Sequence, residues 1–174
     1  MKVINLFGGG GAGKSTTAAG LFHFMKLENI KVELVTEYAK ELTYEGHKNI
    51  LSDQLYVTAE QNRRLQRLKG QVDWVITDSP LLLGRVYAQY YKYDYRELYL
   101  SFVEDLFNSY HNENFFITRV KPYKTFGRNE TEEQAKEIDE CIKATLLTYE
   151  VKDIPGDKNA PQKILSILRD TYNL

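Results

Sequence analysis

The stretch Gly8-Gly-Gly-Gly-Ala-Gly-Lys-Ser-Thr16 fits the pattern G-x-x-x-x-G-K-S/T, with Gly8, Gly13, Lys14 and Ser15 at its fixed letters. Each residue type has its own physical task. Glycines let successive backbone N–H groups turn inward around phosphate oxygens. A lysine at position 14 reaches the β- and γ-phosphates, and the Ser15 hydroxyl ligates Mg²⁺. The helix that opens here aims the positive end of its dipole at the same anion. Gly8, Gly9, Gly10, Gly11, Ala12, Gly13, Lys14, Ser15 and Thr16 are therefore the expected nucleotide-binding residues.

The flanks agree with that mechanism. Met1–Phe7 reads as a short buried strand. Lys14–Glu28 reads as a helix, with Ala18, Leu21, Phe22 and Met25 at core spacing. The alternative is a flexible glycine turn between a strand and a helix.

Further apolar segments at Val32–Thr36, Trp74–Thr77, Phe115–Thr118 and Tyr149–Ile154 are expected as strands. Helical patterns separate them at Ser52–Lys69, at Leu81–Tyr91 with Glu97–Ser109, and at Glu130–Leu147. A last helix is expected over Pro161–Tyr172, capped by Asn159 with Gln162 as its partner. Such alternation predicts an α/β fold, a parallel sheet covered on both faces, with ligands beyond the carboxyl ends of its strands. The chain has 174 residues, which suits a single domain over 1–174.

Composition removes several classes. Net charge is −1, so no broad basic surface demands nucleic acid. Cys141 is the only cysteine, which excludes an internal disulfide or a multi-cysteine zinc site and suits a reducing cytoplasm. The N-terminus enters the first strand directly, so no signal peptide is expected. No apolar run is long enough to span a bilayer, and no membrane partner is expected. Whether the chain forms a homodimer is left open.

Charged residues follow each strand. Asp78 closes the run Trp74-Val-Ile-Thr-Asp78, the usual place for an acid that holds Mg²⁺ or its waters; the alternative is a cap for the helix begun by Ser79-Pro80. Glu37, after the second strand, is the candidate general base, with an ion pair to Lys40 or Lys2 as the alternative. Whether Glu37 or Asp78 takes the proton is open. Arg119, Lys121, Lys124 and Arg128 make a cationic segment that reads as a lid over about 119–147, its arginines stabilising charge on the transferred phosphoryl group. Asn129 is expected to cap the lid helix with Glu132 as partner. Gln61 and Arg63 sit on the helix expected over the acceptor pocket. There Gln61 reads a base or amide by paired hydrogen bonds, or both belong to a charged outer face. Of the 13 tyrosines, six cluster after the third strand, at Tyr87, Tyr90, Tyr91, Tyr93, Tyr95 and Tyr99. They read as half-buried core or as stacking surfaces for a flat ring.

With these residues in place the chain resembles the P-loop nucleoside and nucleotide kinase group. In pattern it is most similar to the nicotinamide riboside kinase-like AAA-type ATP-binding proteins. Thr36-Glu-Tyr-Ala-Lys-Glu41 resembles their segment after the second strand, with Lys40 where arginine is usual. Ser79-Pro80 stands where deoxynucleoside and thymidylate kinases carry arginine. The resemblance implies the three-layer α/β/α P-loop NTPase fold, a five-stranded parallel sheet of order 2-3-1-4-5 with a lid. It implies ATP and Mg²⁺ as cofactors, the loop at Pro155-Gly-Asp157 against adenine, and Tyr38, Gln61 and Arg63 near the acceptor. The expected activity is transfer of the γ-phosphate to a nucleoside, a nucleotide or a nicotinamide riboside-like small molecule.

Two other functions compete. One is a viral-type kinase acting on a modified base or end in DNA, disfavoured by the net charge. The other is a regulatory nucleotide-binding NTPase without an acceptor. Asn/Thr-Lys-x-Asp is absent, and no second acid follows Asp78, which weighs against a GTPase and a motor.

Overall fold

Side chains alternate across β1 (Lys2–Phe7), and that alternation builds two cores. Ile4 and Leu6 enter one face of the sheet, Val3 and Phe7 the other. The computed structural model describes residues 1–90, 92, 94, 96–124 and 130–174, and for Lys48 and Arg96 the backbone alone. After β1 come α1 (Lys14–Leu27), β2 (Val32–Val35), α2 (Tyr38–Glu45), α3 (Lys48–Ser52) and α4 (Gln54–Gln66). Then follow β3 (Trp74–Thr77), α5 (Leu83–Tyr90), α6 (Arg96–Asn108), β4 (His111–Thr118), α7 (Glu132–Leu146), β5 (Lys152–Pro155) and α8 (Ala160–Tyr172).

The strands form one parallel five-stranded sheet in the order β2-β3-β1-β4-β5. Its register places Ile4 beside Ile76 and Leu6 beside Phe115. On one face Leu21 and Met25 of α1 and Ile164 and Leu168 of α8 pack on Ile4, Ile76 and Phe115. On the other, Leu65 of α4, Val86 of α5, Phe107 of α6 and Ile138 and Ile142 of α7 pack on Val3, Phe7 and Val75. Three layers result, and the expected strand order holds.

The differences have local causes. β4 begins at His111, four residues before the expected start, because its polar first half pairs with β1. Asn5 there donates to the Asn112 and Asn114 side chains at 2.9 and 3.1 Å, so the buried amides satisfy one another. The helices α2 and α3 fall where no helix was expected. The α7 cap is Thr131, whose side chain accepts from Gln134 N–H while the Gln134 side chain accepts from Thr131 N–H; the expected cap residue Asn129 lies outside the described residues. Asn159 precedes α8 without a side-chain cap bond. Asp157 instead accepts from its N–H at 2.8 Å.

Candidate active site

The ends of β1, β2 and β3 open on one cavity of about 1020 Å³. The glycine loop forms one wall through Gly10, Gly11, Gly13, Lys14, Ser15 and Thr16. Gly13 precedes α1 at φ 104°, a left-handed conformation that glycine adopts without a Cβ penalty, and Thr17 N–H bonds back to its carbonyl at 2.9 Å. Lys14 Nζ donates to Gly8 O at 2.7 Å and Gly9 O at 3.1 Å, so the ammonium lies folded over its own loop.

The loop is held from two sides. Arg119, at the end of β4, donates through Nη2 and Nε to Gly10 O at 2.8 and 3.2 Å. Its guanidinium also pairs with Asp139 at 2.9 Å, and Asp139 accepts from Gly9 N–H at 2.5 Å. Gly156, after β5, approaches so closely that a Cβ there would stand 2.1 Å from Ala12 O. Gly156 N–H is fixed to Thr118 O at 2.8 Å. Asp139 was not expected from sequence. Its signal is an acid set beside Ala135, Ile138 and Ile142, the buried stripe of α7.

Glu37 stands at the N-cap position of α2, yet its side chain makes no cap bond to that helix. Glu37 lines the cavity. Burial pushes its pKa up; the nearby Lys14 ammonium pulls it down, and the Asp78 carboxylate pushes it up again. Asp78 is 3% exposed, and its Oδ1 is buried without a hydrogen-bond partner among the described residues. An orphaned buried carboxylate oxygen is costly unless something cationic meets it. Asp78 is not itself part of the cavity lining; its carboxylate and the hydroxyl of Ser15, which does line the cavity, are oxygen donors of the kind that fit Mg²⁺, a hard cation that keeps several waters. Among the described residues no three His, Cys, Asp or Glu side chains form a metal cluster.

The opposite side of the cavity comes from α2, α3, α4 and the segments that flank and form the start of α5. Leu51, Val57, Pro80, Leu81 and Leu83 supply apolar wall. Tyr44 and Tyr87 supply rings, and Lys40, Thr43, Gln54, Thr58, Lys92 and Asp94 supply polar groups. Apart from Tyr87 and Lys40, no sequence motif announced these residues, because they converge only when α2 folds over α4. Gln61 lies there too, 4% exposed. Its Oε1 accepts from Tyr38 N–H at 3.0 Å, and Nε2 donates to Thr36 O at 3.3 Å and Thr77 Oγ1 at 3.5 Å. Tyr38 turns its hydroxyl to Tyr56 at 3.3 Å, and its ring lies under the Arg64 guanidinium at 4.7 Å. Arg63 is 70% exposed and paired with Glu60. Neither Tyr38 nor Arg63 lines the cavity. Tyr99 is core, bonded to Thr58 Oγ1 at 2.6 Å, whereas Tyr87 reaches the cavity. Arg128, with Gly127 and Asn129, and Tyr91, Tyr93 and Tyr95 lie outside the described residues.

Comparison with known proteins agrees with this architecture. The profile of the AAA domain family matches residues 3–159. No curated protein sequence matches the chain. Among solved structures, the NadR protein in complex with NR superposes with a TM-score of 0.75 at 19% identity, covering 99% of this chain and 52% of its own. The present chain thus spans about half the length of that protein. Deoxyadenosine kinase from M. mycoides, with products dCMP and a flexible dCDP bound, superposes with a TM-score of 0.60 at 19% identity, each chain covered in full. Both share the fold. No helix among the described residues is long and apolar enough to cross a membrane.

Proposed function

This chain belongs to the AAA domain family, and from that premise we propose that it is an ATP-dependent kinase acting on a hydroxyl of a nucleoside-like small molecule. One observation carries the reading: Glu37 shares a cavity with the phosphate loop, and its carboxyl lies within the fields of both Lys14 and Asp78. A base, a phosphate-neutralising cation and a metal-seeking acid thus meet at adjoining strand ends.

The chemistry follows from those positions. Loop amides from Gly10 to Thr16 hold the triphosphate, and Lys14 swings from its own carbonyls to the β- and γ-phosphates. Ser15 and Asp78 would hold Mg²⁺ or its waters, and the ion would supply neutralisation of charge on the phosphates. Glu37 accepts the proton of the acceptor hydroxyl while that oxygen bonds to the γ-phosphorus. The bond from phosphorus to the β–γ bridging oxygen breaks, and ADP leaves with the electron pair. A carboxyl pushed upward by burial is a stronger base than an exposed one, which suits proton abstraction near neutral pH. Arg119 acts through the loop carbonyl it grips, and Arg128 supplies the charge that meets the moving phosphoryl group. The loop at Pro155-Gly-Asp157, beside Ala12, takes the adenine. The half-apolar acceptor wall with its two tyrosines suits a flat ring carrying a sugar. The kinase fold of the M. mycoides neighbour and the ligand named for the NadR protein support a nucleoside-like acceptor.

The test is incubation with γ-labelled ATP and Mg²⁺ against nucleosides, nucleotides, nicotinamide riboside and single-stranded DNA. Label on a small-molecule acceptor is the expected outcome. Label on DNA alone, or phosphate release indifferent to every acceptor, refutes the reading.

A further inference from the structure

The two backbone groups that flank Glu37 end on one side chain. Thr36 O accepts from Gln61 Nε2 at 3.3 Å, and Tyr38 N–H donates to Gln61 Oε1 at 3.0 Å. The second Nε2 hydrogen goes to Thr77 Oγ1 at 3.5 Å, and Thr77 Oγ1 also accepts from Ser79 N–H at 3.1 Å. A glutamine amide has two N–H donors, and both are occupied within the protein. Reading a base edge by a paired donor and acceptor needs one of them free.

From this we infer that Gln61 is the positioning residue of Glu37. It clamps the peptide groups on both sides of the base and ties the β2 end to the Asp78-bearing β3 end, and it does not read the acceptor. The inference rests on the reading of Glu37 as the base.

The surroundings agree. Glu37 occupies the N-cap position without bonding its own helix, its side chain being longer than the Ser, Thr, Asp and Asn that ordinarily cap. Something else must set the turn so that the side chain enters the cavity, and Gln61 is the group bonded to both neighbours. One turn further along α4, Arg64 holds α2 from outside through two 2.7 Å bonds to Glu41 and its stack on Tyr38. The two residues of α4 grip the start and the first turn of α2. A shift of about 1 Å in a general base costs on the order of a hundredfold in rate, so a clamp of this kind is expected to govern kcat.

The test is a double-mutant cycle with Gln61→Leu and Glu37→Gln, run on the acceptor that takes the label. Gln61→Leu is expected to lower kcat about 30-fold, leave the acceptor KM within about threefold, leave the order of preference among acceptors unchanged, and move the acid limb of the kcat–pH profile. In the Glu37→Gln background the same substitution is expected to cost less than about threefold, because the group it positions is gone. Gln61→Glu, which keeps the acceptor for Tyr38 N–H and loses both donors, carries the same test if the leucine variant does not fold. A tenfold rise in acceptor KM at unchanged kcat, an altered acceptor order, or full additivity with Glu37→Gln overturns the inference. Near wild-type transfer by Glu37→Gln alone instead overturns the reading of Glu37, so the two failures are told apart.

Discussion

Substituting Gly156 by alanine is expected to damage nucleotide binding through a residue that offers no side chain. The added Cβ would stand 2.1 Å from Ala12 O, 3.0 Å from Ile117 Cγ2 and 3.1 Å from Thr118 O. Ordinary contact begins at 3.4 Å, so the phosphate loop and the β5 loop must part by about 1.3 Å. Two of the three neighbours are backbone, and neither swings aside as a flexible side chain would. Overpacking of this kind costs about 2–3 kcal/mol, which for a chain of this size lowers Tm by about 5–10 °C. The displaced carbonyl belongs to the residue just before Gly13, so loop amides move with it. A misplacement near 1 Å is expected to cost about tenfold in ATP affinity and up to about a hundredfold in transfer. Urea unfolding gives the stability, and titration with a fluorescent ATP analogue gives the affinity. A variant with the wild-type urea midpoint refutes the packing argument. A variant destabilised as expected but binding ATP normally refutes the claim that the β5 loop sets the phosphate loop.

Other expected outcomes follow from single groups. Glu37→Gln lowers transfer about 10²–10⁴-fold, to a residual rate that remains measurable, and stabilises the protein at neutral pH, because the raised pKa marks a carboxylate that is costly to ionise in place. The sign is fixed by linkage. A folded-state pKa above the unfolded one means stability is greatest below the unfolded pKa and declines as pH rises through the folded pKa. The advantage of the variant must therefore vanish in acid, as thermal melts across pH will show. Asp78→Asn raises the Mg²⁺ concentration for half-maximal transfer about tenfold or more while ATP affinity without metal is kept, measured by metal titration. Arg64→Met lowers stability by about 1 kcal/mol, the half-exposed Glu41 partner being screened by solvent. The Arg64 hydrogen bonds hold the Glu41 carboxyl below its usual range, so the contribution is present at neutral pH and lost as pH falls through the lowered pKa. Urea midpoints of wild type and variant should converge in acid.

Much of the fold was legible because apolar runs and a glycine loop obey strong local rules. Trp74–Thr77 is the expected strand to the residue, and the expected strand starts Met1 and Val32 are right within one position. Where burial is shared out unusually, the sequence is silent. The first half of β4 is Asn112, Glu113 and Asn114, polar residues that form a strand because Asn5 completes their amide network. The helix α2 has eight residues with only Leu42 buried, so no periodic stripe marks it. At the site, sequence identified residue types at strand ends and could not say which hydrogen bonds each would make. Gln61 was expected either to read a base or amide or to belong to a charged outer face; it is buried at the cavity, and its amide bonds the backbone on either side of Glu37. Arg119 was expected over the phosphoryl group, and its guanidinium lies against Gly10 O and Asp139. Such partners come from elements distant in sequence, and only the packed sheet brings them together.

The most direct test of the central claim is a ³¹P NMR time course with ATP, Mg²⁺ and a panel nucleoside. A phosphate-ester resonance growing in step with ADP, with inorganic phosphate flat, is the predicted result. ADP forming at the same rate with and without the nucleoside, with every phosphate appearing as inorganic phosphate, would contradict it.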